Sequence, residues 1–275
     1  MKRHKGKLAF LSVFLYSFIY LPLIVVVIYS FNVAKFGAGW RGFTTKWYGV
    51  LFQNEVALQA ALTTLKLALL STTVATIFGT MLGLGLSKGR GRGGRSAAVT
   101  KVASGLLYLP VTVPDILMAV GLVAFYGIIR DTFGILTLGF WTMVISHVTF
   151  EIPFVALVVK ARLQGLNKAL PEAAADLGAS TWQTFRYVTF PLILPGIISG
   201  ALLAFTVSLD DFVVSFFTTG PGATTLSILI YSSVKRGISP EINALSSLMI
   251  LASVVLTMIV AKISKRSGGI MPVGH

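Results

Sequence analysis

The chain has 275 residues, of which 55% are hydrophobic and 12% are charged, and its mean hydropathy is +0.84. These values are typical of a membrane protein with several spans and exclude a single soluble domain, whose core does not need so much apolar sequence. The absence of cysteine excludes disulfides and thiolate metal sites, and the histidines His4, His147 and His275 lack the spacing of metal ligands. We therefore expect neither a metal site nor a cofactor in this chain.

Apolar runs predict six membrane spans in an all-α integral membrane fold. The first run follows the basic segment MKRHKGK and is too long for the core of a signal peptide, so we expect it to be retained as a span. The predicted spans are residues 8–31, 58–87, 102–129, 137–159, 192–217 and 243–263. Residues 1–275 are thus expected to form a single transmembrane domain.

The distribution of Lys and Arg predicts the orientation of the chain. With the N-terminus inside, 16 of the 23 Lys and Arg residues lie on the cytoplasmic side, 6 lie on the opposite side, and Lys66 lies within a span. The positive-inside rule therefore places both termini and residues 160–191 in the cytoplasm. The net charge of +14 is explained by this topology rather than by binding of nucleic acid, and the run SKGRGRGGR at 87–95 is expected to be a flexible loop near anionic lipid.

A polar segment with the sequence LPEAAADLGAS separates the fourth and fifth spans. Pro171 suits the first position of a helix, and Glu172 and Asp176 lie in early turns, where the helix dipole favours negative charge. Gly178 can adopt the left-handed conformation that ends a helix. The pattern predicts a short helix over 171–177, and its alanines leave a smooth surface that another protein can approach closely.

A second helix is predicted directly after this turn. Ser180 and Gln183 have the spacing of a capping box, so the helix should begin near Thr181. It should end in the region of Pro191 and Pro195, because proline interrupts the hydrogen bonds of a helix interior. The segment is therefore predicted to form a helix, a sharp turn and a second helix on the cytoplasmic side.

These residues resemble the EAA loop of ABC importer permeases. Glutamate is followed by two alanines, the glycine stands at the expected distance, and a proline follows thirteen residues later; the usual ending Ile-x-Leu-Pro is VTFP here. The resemblance implies a type I ABC importer permease fold and a coupling helix that binds a cleft of a separate ATPase, which itself binds ATP and Mg²⁺. The residues implied in ATPase coupling are Glu172, Ala173, Ala174, Asp176, Gly178 and Pro191.

Four acidic residues fall inside the predicted spans, where each needs a partner or an aqueous path because burial of a charge costs about 2.5–3.5 kcal/mol. Asp210 and Asp211 are adjacent, so on one helix they would point about 100° apart and only one could face a path. Asp115 follows a proline break, about 20 Å from the cytoplasmic end and at the depth of Asp210. Glu151 lies about 12 Å from that end, before a break expected at Pro153.

The acids and neighbouring aromatic residues predict a path for a cation. Aromatic rings beside the acidic pair offer cation–π contacts to ammonium groups. The alternative is structural: the acids could accept hydrogen bonds from Ser, Thr or backbone, or pair with Lys66, and the aromatic residues could serve only packing. His147 is interpreted as a packing residue rather than a proton carrier. The predicted path residues are Asp210, Asp211, Asp115, Glu151, Phe205 and Phe212.

No motif indicates an enzyme active site in this chain. The sequence contains no phosphate-binding loop, no GxSxG and no HExxH, so the energy for transport is expected to come from a partner. It also lacks two halves with matching broken helices, which many secondary transporters have.

Longer stretches resemble the permeases of spermidine/putrescine ABC transporters, in particular the second permease of the pair. The most informative stretch is SLDDFVVSFFTTGPG at 208–222, and others are FGAGWRGFTTKWY at 36–48 and SPEINAL at 239–245. The resemblance implies polyamine import across the bacterial inner membrane with a second permease, two copies of a cytoplasmic ATPase and an extracytoplasmic solute-binding protein. The alternatives are an importer of ferric iron, thiamine, an opine or an amino acid, a channel or secondary transporter, and a membrane scaffold without transport.

Overall fold

The computed structural model describes residues 2–34, 39–88, 95–167, 169–236 and 240–266. Within these ranges the chain is helical and has no β-strand, only an isolated antiparallel bridge between Asn32 and Phe43. Six of the described helices are long and apolar enough to cross a membrane. They are Leu11–Tyr29, Glu55–Ser87, Asp115–Phe133, Phe140–Gln164, Thr181–Asp210 and Pro240–Ile259. The prediction of an all-α chain with six spans is confirmed.

The helices are numbered in chain order. Their bounds are α1 (Lys2–Tyr29), α2 (Lys46–Gln53), α3 (Glu55–Lys88), α4 (Arg95–Leu106), α5 (Leu109–Thr112), α6 (Asp115–Phe133), α7 (Phe140–Gln164), α8 (Ala169–Asp176), α9 (Thr181–Thr184), α10 (Phe190–Asp210), α11 (Val213–Thr218), α12 (Leu226–Arg236) and α13 (Pro240–Arg266). A π-helical turn, Phe185–Thr189, joins α9 to α10. Most of the basic run at 87–95 lies outside the described residues.

The third span begins later than its hydropathy predicted. The expected range was 102–129, but the spanning helix α6 starts at Asp115, and the apolar residues before it form the short helices α4 and α5. Val113 has a ψ of 134° and is extended because the residue before a proline, here Pro114, avoids the helical conformation. The proline break is therefore confirmed, whereas the depth of Asp115 cannot be counted along one helix from residue 102.

The fourth span has no break at Pro153, contrary to the sequence prediction. Helix α7 is continuous from Phe140 to Gln164 with this proline inside it. A membrane helix tolerates proline where neighbouring helices and local adjustments compensate for the missing backbone donor. Both α3 and α10 pack closely along this part of α7.

Contacts divide the chain into two units. The first consists of Met1–Ala60 with Ile228–Val254, and the second of Ala61–Ser227 with Val255–His275. In the first unit, the indole Nε1 of Trp47 donates a 2.7 Å hydrogen bond to the carbonyl of Asn32. The side-chain amide of Asn54 donates a 2.6 Å bond to Oε1 of Glu241. These bonds join the segments that precede α3 to one another and to the start of α13.

The second unit is organised around α7. A Cβ atom placed on Gly79 of α3 would lie 2.7 Å from Cβ of Val155, and one placed on Gly200 of α10 would lie 3.3 Å from Cα of the same valine. Such close backbone approach is typical of membrane helices, whose association depends on packing of small residues. The glycines thus hold α7 between α3 and α10, and Val155 is fully buried between them.

Candidate coupling surface and substrate path

The turn after α8 has the conformation that the sequence predicts. Gly178 has a φ of +84°, in the left-handed region. Its N–H donates to the carbonyl of Ala175 at 2.9 Å, and the N–H of Ala179 donates to the carbonyl of Ala174 at 3.0 Å. This pair of bonds is the Schellman arrangement, which satisfies carbonyls at the end of a helix. Helix α8 begins at Ala169, so Pro171 is its third residue rather than its first.

The capping box that starts the second helix is also present. The N–H of Ser180 donates to Oε1 of Gln183 at 2.8 Å, and the N–H of Gln183 donates to Oγ of Ser180 at 3.3 Å. This segment therefore starts at Thr181 as predicted.

The second helix does not end near Pro191 and Pro195, as the sequence predicted, but continues into α10. The π-helical turn has the N–H of Phe190 donating to the carbonyl of Phe185. This wider turn lies directly before Pro191, and a local π-helical adjustment of this kind accommodates a residue that has no backbone donor. The second helix of the predicted coupling segment and the fifth span are consequently one helical path, Thr181–Asp210.

The predicted coupling residues lie at the surface. Glu172, Ala173, Asp176, Gly178 and Pro191 are exposed, and Ala174 is half-buried. The same segment exposes three large side chains that the sequence reasoning did not single out. Leu177, Trp182 and Tyr187 have relative exposures of 89%, 68% and 76%. The sequence alone could have identified them, because large apolar residues in a polar cytoplasmic segment indicate a contact with another protein.

The adjacent acids of the fifth span do not share one helix. Helix α10 ends at Asp210, and Asp211 is extended, with a ψ of 130°. The Asp211 carboxylate accepts the N–H of Ser215 at 2.8 Å and that of Val214 at 3.3 Å, so it caps α11. The expected separation of about 100° on one helix is therefore wrong. The Asp211 side chain accepts hydrogen bonds from the backbone of α11, and these bonds compete with a continuation of α10.

The two acids consequently have different surroundings. Asp210 is exposed at the last residue of α10, whereas Asp211 is half-buried. Phe205 and Phe212 are also half-buried, and the ring of Phe212 lies 5.3 Å from that of Phe216 between centroids. Asp210 is thus the more exposed acid of this pair, and Phe212, a member of the aromatic pair, stands two positions after it.

His147 joins the two sides of the break in the fifth span. Its Nδ1 atom lies 2.8 Å from the hydroxyl of Ser208, and its Nε2 atom lies 3.0 Å from the hydroxyl of Ser215. Nε2 also lies 3.4 Å from Oδ2 of Asp211. The ring is fully buried, so these polar contacts replace water. His147 therefore connects α7 to the end of α10 and the start of α11.

Glu151 lies in the same buried network. Its Oε1 atom accepts a 2.7 Å hydrogen bond from the hydroxyl of Ser71 and lies 3.6 Å from Nδ1 of His147. Its Oε2 atom is buried and has no hydrogen-bond partner among the described residues. Glu151 is fully buried, and its role in a substrate path stays a prediction.

Asp115 is exposed at the first residue of α6, where the positive end of the helix dipole favours an acid. One turn later, Ala119 packs against Phe150 of α7 and Val214 of α11. The start of α6 therefore lies close to the break in the fifth span. The structure brings the two helix breaks together, although they are almost one hundred residues apart in the chain.

Sequence reasoning missed the serines of this network. Ser71, Ser208 and Ser215 are buried and lie on three different helices. Their hydroxyl groups link the acids and His147, and the hydroxyls of Ser71 and Ser208 lie 3.2 Å apart. No local pattern marks such residues, because serine is common in membrane helices and the contacts span 61 to 137 positions.

Comparison with known proteins identifies the family. Residues 79–266 match the family described as "Binding-protein-dependent transport system inner membrane component". The chain belongs to this family. As a binding-protein-dependent transport component, it is an inner membrane permease subunit, which agrees with its six apolar helices.

Two curated members of the family are similar over most of their length. The chain is 41% identical over 242 residues to the spermidine/putrescine transport system permease protein PotC of Escherichia coli (strain K12), covering 88% of each chain. It is 40% identical over 237 residues to the putrescine transport system permease protein PotI of the same strain, covering 86% of this chain and 82% of that one.

Solved transporters confirm the predicted ABC importer permease fold. A bacterial ABC transporter involved in the import of the acidic polysaccharide alginate matches with a TM-score of 0.71 at 22% identity, covering 97% of this chain and 96% of that one. The MetNI methionine ABC transporter, in an inward-facing conformation, matches with a TM-score of 0.64 at 19% identity, covering 82% and 99%. At these identities the likeness extends to the fold alone.

Proposed function

We propose that this permease imports polyamines, spermidine or putrescine, across the inner membrane. The observation that carries the proposal is the 41% and 40% identity to two permeases named for these solutes, over more than four fifths of each chain. The chemistry of the break in the fifth span supports it. An exposed carboxylate, Asp210, precedes an aromatic pair, and the two together suit a flexible cation with several ammonium groups.

Transport is driven by a separate ATPase that binds ATP and Mg²⁺. The coupling surface consists of α8, the turn at Gly178 and the helix that begins at Thr181. Two observations support this assignment. Hydrogen bonds cap the end of α8 and the start of the next helix, and Leu177 and Trp182 expose large side chains that suit the apolar centre of an interface. A second related permease, two copies of the ATPase and an extracytoplasmic solute-binding protein complete the assembly in this proposal.

Uptake measurements test the solute. The complete transporter is expressed in cells that lack their own polyamine uptake, and entry of labelled spermidine and putrescine is followed. Excess unlabelled polyamine should abolish the uptake, whereas thiamine, ferric iron, an opine or an amino acid should leave it unchanged. Competition by one of those solutes instead would assign the permease to that solute.

Energy depletion tests the coupling. Uptake should stop when ATP is exhausted and the proton gradient is kept, because the proposed partner ATPase then has no ATP to hydrolyse. Persistence of uptake under these conditions would identify a secondary transporter or a channel.

A Trp182→Ala variant should weaken binding of the ATPase, and the substitution Tyr231→Ala on α12, outside the coupling segment, serves as the control.

A further inference from the structure

A cavity of 530 Å³ lies in the second unit, at the end that the Lys and Arg distribution assigns to the cytoplasm. Its walls are formed by the end of α3, by α4 and by the last turns of α7. The polar side chains that line it are Thr100, Lys101, Ser104, Tyr108, Lys160 and Gln164. None of the residues that line the cavity belongs to the break in the fifth span or to the segment 169–191.

The charge of the cavity is positive and is not balanced by neighbouring acids. Lys101 and Lys160 stand on α4 and α7, and the described residues form no ion pair with either lysine. The sequence contains no Asp or Glu over residues 56–114 or over residues 152–171, which include α4, α5 and the last turns of α7. Two ammonium groups therefore face a shared space without a counter-charge from these elements.

The remaining lining groups suit the oxygens of a phosphate. The Nζ atom of Lys160 donates to Oγ of Ser104 at 3.2 Å, which holds one ammonium group at the wall of the cavity. Lysine binds phosphate as a point charge, and hydroxyl and amide groups donate further hydrogen bonds to it. Leu86 and Leu157 also line the cavity, so an apolar group attached to the phosphate has a surface to contact.

The exposed face of α4 indicates which molecule would supply such a phosphate. Val99, Val102 and Leu106 recur at helical spacing, and their side chains are 65%, 63% and 58% exposed. An exposed apolar stripe next to a lysine is typical of a helix at the membrane interface, where lipid headgroups lie. We propose that the cavity between α4 and α7 binds a phosphate group, supplied by the headgroup of an anionic phospholipid in the cytoplasmic leaflet.

The test measures lipid binding to the purified full-length chain in detergent by native mass spectrometry. The probes are phosphatidylglycerol, phosphatidylcholine and inorganic phosphate. Phosphatidylglycerol should bind more tightly than phosphatidylcholine, because the latter carries its own positive charge. Lys101→Gln and Lys160→Gln should each weaken phosphatidylglycerol binding about fivefold, and the double variant about 25-fold. Lys262→Gln, on an exposed residue of α13 outside the cavity, should leave it unchanged.

Further variants separate loss of charge from loss of fold. Arginine at both positions keeps the charges and should retain phosphatidylglycerol binding. If the double glutamine variant does not fold, the single variant Lys101→Gln decides the test. Among the described residues no hydrogen bond from the Lys101 side chain is found, so its loss should leave the fold intact. Displacement of the lipid by inorganic phosphate at millimolar concentration would support the phosphate site but assign it to the free ion. Equal phosphatidylglycerol binding by the wild type and the lysine variants would overturn the proposal.

Discussion

The Nε2 atom of His147 lies 3.4 Å from Oδ2 of Asp211, across the point where the fifth span is interrupted. The same carboxylate accepts backbone N–H groups of Val214 and Ser215. Asp211 is therefore held by a neighbouring helix and by the helix that follows it. Asp210, its neighbour in sequence, is exposed at the end of α10.

The two acids should respond differently to removal of their charge. Asp210→Asn keeps the shape of the side chain but removes a negative charge that a polyamine would meet, so uptake should fall at least tenfold with a normal amount of folded protein. Asp211→Ala removes the cap of α11 and a partner of His147, so the amount of folded protein should fall, with a loss of about 0.5–2 kcal/mol from the cap alone. Uptake and detergent-extracted protein are measured for both variants. Normal uptake by Asp210→Asn would contradict the acidic path.

His147→Phe should destabilise the second unit although it keeps an aromatic ring. The phenyl ring cannot bond to the hydroxyls of Ser208 and Ser215, and each buried polar group left without a partner costs about 1–3 kcal/mol. The thermal unfolding temperature of the purified protein should therefore fall. Thr149→Val is the control: this residue is exposed on the same helix, and its hydroxyl donates to the carbonyl of Ile145 within that helix. Similar unfolding temperatures for the two variants would mean that the network contributes little.

Gly178→Val should uncouple ATP hydrolysis from the solute. A β-branched residue is strained at a φ of +84°, by at least about 1–2 kcal/mol, and adds bulk to the coupling surface. Solute-stimulated ATPase activity of the complex should fall while the protein still inserts. Gly134→Val is a matched control, since Gly134 has a φ of +71° at the end of α6 and, like Gly178, has no atom within 4 Å of an added Cβ. Equal loss of stimulation in both would show that strain alone is responsible.

Gly79→Ala should disturb the contact of α3 with α7. The added Cβ would lie 2.7 Å from Cβ of Val155 and 2.9 Å from the carbonyl oxygen of Ile152, so the helices must separate. Overpacking of this kind costs about 1–3 kcal/mol, which should lower the thermal unfolding temperature. Gly85→Ala, on the same helix with no atom within 4 Å of the added Cβ, should leave it unchanged or raise it slightly. An unchanged unfolding temperature for Gly79→Ala would mean that the helices move apart at no cost.

Features set by neighbouring residues could be predicted from the sequence. The left-handed Gly178 and the capping box of Ser180 and Gln183 depend on residues within one turn, and their geometry is present as expected. The six spans follow from apolar length alone. Hydropathy could not predict that residues 102–112 form short helices, because it measures transfer to lipid and not whether a helix can continue through Pro110 and Pro114.

Features set by distant contacts could not be predicted. Ser71 donates a hydrogen bond to Glu151 across 80 positions, and no period in the sequence relates them. The adjacent acids were predicted on one helix because their neighbours are apolar, but the backbone bonds of Asp211 interrupt that helix. The continuity of the helix through Pro191 depends on the π-helical turn, a rare local adjustment for which the sequence has no clear signal.

This continuity has a mechanical consequence. Residues 181–210 are helical throughout, a path of about 45 Å at 1.5 Å per residue, with the proposed ATPase contact at one end and Asp210 at the other. An unstructured joint between them would absorb a small displacement, whereas a continuous helix transmits it. A rotation of about 5° around the ATPase end would move the carboxylate of Asp210 by about 4 Å, more than the length of a hydrogen bond. Movement of the ATPase would in this way be sufficient to remove the acid from a bound ammonium group.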